Sequence, residues 1–195
     1  MTIEMKCILL NGSRTDDAEI DNLYQSIIEE LMSRGWDASS HILRNIDIAP
    51  CQGCFDCWIK TPGVCRIDDI SRDITGEMVH GQLIIHFTPI TFGGYSSEIK
   101  KVLDRFIPVL LPFFQKVKGE IHHKFRYERR PSILVIGCLE HPDEEEQSTF
   151  KTLVSRNSHN MGAPIHEALI YTKGQVASDF LTEFTRILSE VEILA

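Results

Sequence analysis

No stretch of this 195-residue chain is apolar for long enough to cross a bilayer. The longest apolar run, Phe106 to Phe114, is broken by Pro108 and Pro112 and falls far short of the roughly 20 residues a spanning helix needs. A secretory leader is not expected either. Met1-Thr2-Ile3-Glu4-Met5-Lys6 carries an early acid, and the run Cys7 to Leu10 is too short for a leader's apolar segment. Positive charge is also scarce: 20 Lys and Arg stand against 28 Asp and Glu, a net charge of −8 that gives nucleic-acid binding no electrostatic support. Internal repeats, low-complexity tracts and linkers are absent, so the expectation is one domain over residues 1–195 with a full hydrophobic core. The expected location is cytoplasmic. In that reducing compartment six cysteines read as metal-binding, catalytic or buried thiols rather than disulfides.

Four of those cysteines are the most informative feature present. Cys51, Cys54 and Cys57 are separated by two residues each, and Cys65 follows seven residues on, before Asp68-Asp69. Three readings compete for the set. Closely spaced thiolates with a distant fourth suit an iron–sulfur cubane, in which each ligand takes a different iron. Structural zinc usually draws on two separate C-x-x-C pairs, which the triple spacing is not. The third reading is a loop of buried or free thiols. Cys7 and Cys138 fall on predicted central strands and read as small core residues.

The chain alternates strand and helix. Predicted strands are Lys6–Leu10, Ser39–Leu43, Gln82–Phe87, Ser132–Gly137 and Ile165–Tyr171. Between and after them run helical stripes: Ile20 to Leu31 stopped by Gly35, about Asp69 to Val79, Ser96 to Phe106, Asp143 to Asn157, and Phe180 to Val191. Five strands alternating with five helices give a doubly wound α/β parallel sheet. Such sheets bind ligands beyond the carboxyl ends of their strands. Gly12, Ser13, Arg14 and Thr15, after the first strand, offer N–H groups, hydroxyls and a cation suited to a phosphate, or a plain helix cap. Asp16, Asp17 and Glu19 oppose the phosphate reading through repulsion, or else face water as dipole-stabilising residues. Pro89-Ile90-Thr91-Phe92-Gly93-Gly94 follows the third strand. There the glycines allow close approach of a flat ligand, and Phe92 and Tyr95 supply aromatic surface.

Together these residues make the chain similar to the flavodoxin-fold NADPH-dependent FMN reductases, and within them to the iron–sulfur flavoproteins. The resemblance rests on Gly12-Ser13, the run Cys51 to Asp69, Pro89-Ile90-Thr91-Phe92-Gly93, Ser96-Ser97, Lys100 and Asp104-Arg105, and covers roughly residues 5 to 105. It implies a strand order of 2-1-3-4-5 and an FMN cofactor, with phosphate at Ser13 and Arg14 and the ring on the Pro89-to-Gly94 backbone. It further implies a [4Fe–4S] cluster on Cys51, Cys54, Cys57 and Cys65, NAD(P)H or ferredoxin as donor, and a homodimer or homotetramer. Departures are visible: Arg14 follows Ser13 directly, acids replace the family's small polar residues, and Thr91 stands where many members have Tyr. The expected chemistry belongs to the cofactor, with no side-chain nucleophile or base. Alternatives are a cluster-free NAD(P)H-dependent FMN or quinone reductase, and a drifted scaffold without cofactor.

The remaining residues carry weaker signals. No histidine pair has metal-ligand spacing; His122-His123 reads as solvated and His86 as hydrogen-bonded. Trp58 reads as a lid or a subunit contact. Phe113 to Arg130 reads as a long basic connection, either an oligomer arm or a docking site for an acidic donor such as ferredoxin or for the phosphate of a nicotinamide.

Overall fold

The computed structural model describes residues 5–194; Met1 to Glu4, the start of the segment judged for a leader, and Ala195 lie outside the described residues. Strand β1 (Met5–Asn11) is followed by α1 (Ala18–Ser33) and β2 (Trp36–Ile42). The cysteine loop holds one short helix, α2 (Asp56–Ile59), and leads to α3 (Ser71–His80), β3 (Leu83–Pro89) and α4 (Ser97–Asp104). After a hairpin of β4 (Leu110–Val117) and β5 (Glu120–Phe125) come β6 (Ser132–Leu139), α5 (Glu144–Met161), β7 (His166–Thr172) and α6 (Ala177–Leu194).

The main sheet has five strands in the order β2-β1-β3-β6-β7, with every neighbouring pair parallel. This is the flavodoxin-like order. β6 is buried along its whole length and β3 up to Pro89, because helices cover both faces and alternate side chains enter opposite cores. On one face Leu9, Ile85 and Ile136 pack against α1 and α6 through Ile27, Leu31, Phe184 and Leu188. On the other, Ile84 and Val135 meet Ile74 and Met78 of α3, Ile99 and Val102 of α4, and Phe150 and Val154 of α5.

Helix ends follow their caps. Asp17 accepts from the Glu19 and Ile20 N–H groups, and Asp143 accepts from Glu146 N–H above an acidic first turn. Helix α5 continues to Met161, past the predicted stop at Asn157, because Ser158 is buried and Gly162 ends it at φ 62°.

The predicted loop Phe113 to Arg130 is corrected to a two-stranded antiparallel sheet. Lys118 (φ 49°) and Gly119 (φ 90°) form a left-handed two-residue turn, whose twist matches paired strands. The hairpin docks on α5. Glu120 takes both Arg156 amino groups at 3.0 and 2.7 Å and the His122 ring at 3.2 Å. His122 is buried and bonded to Asn160 at 2.9 Å, so it is not the solvated residue expected. Trp58 Nε1 donates to the Ile107 and Leu110 carbonyls at 3.2 and 2.9 Å, and His123 lies 5.0 Å from the Trp58 ring and 4.5 Å from Phe114.

Candidate functional site

Two concave places gather the residues singled out in the sequence. The first is a cleft of about 250 Å³ between the β1–α1 loop, the segment after β3 and the end of β6. Ser13, Arg14, Thr15, Pro89, Ile90 and Thr91 all line it, joined by Asp17, Cys138, Glu140 and Lys173. Gly12, Phe92, Gly93 and Gly94 do not line it but shape it. A Cβ on Gly12 would lie 2.5 Å from Ile99 Cγ1 and 2.6 Å from Ser96 Oγ, so only glycine lets the loop sit against α4. Ser13 N–H donates to Asn11 Oδ1 at 2.9 Å, which holds the loop open before the helix.

After β3, Thr91 and Gly94 exchange backbone hydrogen bonds of 3.0 and 2.9 Å. Phe92 (φ 50°) and Gly93 (φ 69°) form the turn between them, both left-handed. Phe92 is 95% exposed at its tip. A non-glycine residue held in that region carries strain of order 1 kcal/mol. Tyr95, expected on the ligand side, turns inward instead: its ring meets His86 at 6.2 Å and Phe150 at 5.5 Å. His86 is fully enclosed and neither ring nitrogen has a hydrogen-bond partner, correcting the expectation of a bonded residue. Burial lowers its pKa to about 4.

The acids of the β1–α1 loop are engaged with neighbours rather than free. Asp16 pairs with Arg44 at 2.6 Å, and Asp17 with Lys173 at 2.6 Å. Glu19 accepts from Gly174 N–H and the Tyr171 hydroxyl, each at 2.7 Å. The Lys173 ammonium holds the Asp17 carboxyl below its ordinary range, and the Gly174 N–H does so for Glu19.

The second place is the cysteine loop. Cys51, Cys54, Cys57 and Cys65 line one small cavity of about 20 Å³ together with Arg105, Ile107 and Pro108. The loop turns sharply at Gly53 (φ 62°) and Phe55 (φ 55°), after which the single turn of α2 carries Cys57. Burial raises the Cys57 thiol pKa, and the neighbouring Cys65, Cys54 and Cys51 add to that. Among the described residues no three His, Cys, Asp or Glu side chains gather tightly enough to hold a single metal ion.

One buried cation clamps this loop. Arg105, at the C-terminal end of α4, has a fully buried side chain paired with Asp69 through two hydrogen bonds of 2.9 Å each. It also donates to the carbonyls of Ala49 at 2.7 Å and Ile67 at 3.1 Å, one on each side of the four cysteines. Burial pushes the Asp69 carboxyl up, but Arg105, Ser71 and the Ala49 N–H outweigh it and bring it down to about 2. Arg72 Nε adds a bond of 2.9 Å to the Cys65 carbonyl.

A family model described as NADPH-dependent FMN reductase matches residues 5–163. The chain belongs to that family. Its sequence relatives include an iron-sulfur flavoprotein of Methanocaldococcus jannaschii, 29% identical over 109 residues, covering 56% of this chain and 55% of that protein. An iron-sulfur flavoprotein of Methanosarcina thermophila is 27% identical over 101 residues, 52% of each chain. The chain thus spans about half the length of the relatives it matches in sequence. Solved structures of similar fold include an NADH:FMN oxidoreductase in its apo form (TM-score 0.66, 12% identity, 97% of this chain and 89% of that one). Another is the NAD(P)H:quinone oxidoreductase of Methanothermobacter marburgensis (TM-score 0.68, 12% identity, 98% and 97%). At that identity the likeness speaks to the fold.

For this FMN reductase family member the sequence reasoning missed Lys173 and the clamp made by Arg105. Lys173 carries no motif and reaches the rim only because β7 ends there. Arg105 was visible as part of Asp104-Arg105, but its burial against Asp69 depends on the packing of α4. Among the described residues, no helix is long and apolar enough to cross a membrane.

Proposed function

We propose that this chain is an FMN-dependent oxidoreductase that transfers electrons between a donor, NAD(P)H or a ferredoxin-type protein, and an acceptor, with a [4Fe–4S] cluster held by Cys51, Cys54, Cys57 and Cys65. The observation that carries the reading is that all four thiols line one cavity on the same loop. The names of the sequence relatives, which are iron-sulfur flavoproteins, support it. Bound in these places, a flavin supplies two-electron and one-electron exchange and a cluster supplies a one-electron relay. The chain's own residues bind and orient. Ser13, Arg14 and Thr15 meet the phosphate, and the Pro89-to-Gly94 backbone supports the ring. The Gly12 contact fixes how deep the loop sits, and Arg105 keeps the thiols in register.

Anaerobically purified protein is expected to show flavin absorption with a broad iron–sulfur shoulder, together with about four irons and four sulfides per chain. Flavin without iron would leave the second reading, a cluster-free NAD(P)H-dependent FMN or quinone reductase. That reading is favoured by the family match. A colourless folded protein would sink both.

The hairpin supports a homodimer or homotetramer. Phe113 and Phe114 are each 63% exposed and Ile121 is 73% exposed, on strands whose outer edges are open. Light scattering is expected to give a dimer or tetramer, and the double variant Phe114→Ser/Ile121→Ser a smaller species. A monomeric parent protein would overturn this assignment.

A further inference from the structure

The cleft is closed at its phosphate end by a residue from the far end of the chain. The turn after β7 is fixed by its own backbone: Lys173 N–H donates to the Leu139 carbonyl at 2.9 Å, and Gly174 N–H donates to Glu19 at 2.7 Å. Tyr171, beneath it, bonds Glu19 as well. The backbone at Lys173 is therefore fixed beside the cleft independently of its ion pairs, and Lys173 lines the cleft. Its ammonium sits 2.6 Å from Asp17 Oδ2 and 2.9 Å from Glu140 Oε2. Asp17 and Lys173 are equally sheltered, each 27% exposed, whereas Glu140 is 73% exposed.

Asp17 has a second task that changes what the cleft can offer an anion. Its Oδ1 already accepts from the Glu19 and Ile20 N–H groups at 3.1 and 3.2 Å. The first turn of α1 is thus occupied by its own cap, and those donors are not available to a ligand. The side-chain donors that line this end are the hydroxyls of Ser13 and Thr15, the Arg14 guanidinium and the Lys173 ammonium. The two cations are offset by Asp17 and Glu140, so an arriving phosphate dianion has to compete with a carboxylate for Lys173.

We propose that Lys173 is a phosphate-binding residue of the cofactor cleft and Asp17 its internal competitor, so that the pair sets the preference for FMN over riboflavin. The inference rests on the reading of this cleft as an FMN site. The phosphate takes Lys173 from Glu140, the exposed partner, while Asp17 stays on the helix end and continues to draw on the same charge. No bond is made or broken; the exchange is one of ion-pair partners.

The test is a titration of apo-protein with FMN and, separately, with riboflavin, read by the loss of free-flavin fluorescence. Lys173→Met is expected to weaken FMN about tenfold or more while leaving riboflavin nearly unchanged, as the loss of a charge-assisted hydrogen bond does. Asp17→Asn keeps the cap and removes the competing charge. It is expected to tighten FMN several-fold with riboflavin unchanged, and the gain is expected to shrink with added salt. Equal losses for both flavins in Lys173→Met, or an unchanged or smaller FMN preference in Asp17→Asn, would overturn the role of the pair and leave the FMN site standing. If the folded parent protein binds neither flavin, the reading of the cleft itself falls, and this inference with it.

Discussion

Arg105→Met is expected to cost about 3–5 kcal/mol of folding stability, measured by urea unfolding followed by circular dichroism. The side chain is fully buried, and its removal leaves the Asp69 carboxylate enclosed without its partner. It also leaves the Ala49 and Ile67 carbonyls without a donor. Each loss alone is the kind that costs most, a buried polar group deprived of its bond. Arg105→Met/Asp69→Leu is expected to recover part of the stability, because the stranded charge is gone, but not all, because the two carbonyls remain unmet and the Ala49 and Ser71 donors lose Asp69 as their acceptor. A cost below about 1 kcal/mol for the single variant would show that the clamp is not what holds the cysteine loop. The pair has a pH signature too. Asp69 is held down at about 2, so its contribution is full above the ordinary value of 3.8 and is lost as pH falls through about 2.

His86 acts in a higher window. It is enclosed and neutral, with its pKa lowered from 6.5 to about 4. The unfolded chain therefore binds one more proton than the folded chain between those values, and stability falls as pH drops from 6.5 toward 4. At about 1.4 kcal/mol per pH unit the full loss is about 3 kcal/mol. The lowered carboxylates Asp17, Glu19, Asp69, Glu120 and Glu183 start from ordinary values of 3.8 or 4.5, so their effect falls mainly below about pH 5. The slope between pH 6.5 and about 5 should accordingly vanish in His86→Leu, which also removes two unpaired ring nitrogens from the core. A chemical-denaturation series across that range tests it. The same slope in the variant would assign the loss to another group.

The sheet was legible because buried parallel strands read as short apolar runs ending in Asn11-Gly12, Thr88-Pro89 or Gly137, while their order came from the family resemblance. The loop residues Ser13 to Thr15 and Pro89 to Thr91 came together as the strand-end rule requires. The hairpin was hidden because Pro108 and Pro112 made β4 look like an irregular apolar stretch. Its basic residues drew attention to charge rather than to the alternation around Lys118-Gly119. Tyr95 and His86 were misjudged for one reason: which way a rim residue turns is decided by the layer beneath it, here Phe150 of α5, and no local pattern records that. Lys173 illustrates the same limit. A cation without a motif becomes part of a site only when the fold delivers it.

The aromatic column around Trp58 has an optical consequence. The chain has two tryptophans. Trp36 is sealed in the core, with its indole N–H on Glu192. Trp58 follows Cys57 directly, stacks on Phe55 at 5.0 Å and ties the cysteine loop to the first residue of the hairpin. One indole therefore reports on the sheet and the other on the thiol cavity and the hairpin at once. Filling that cavity, or covering the hairpin, registers as a change in the emission of Trp58 against the steady background of Trp36.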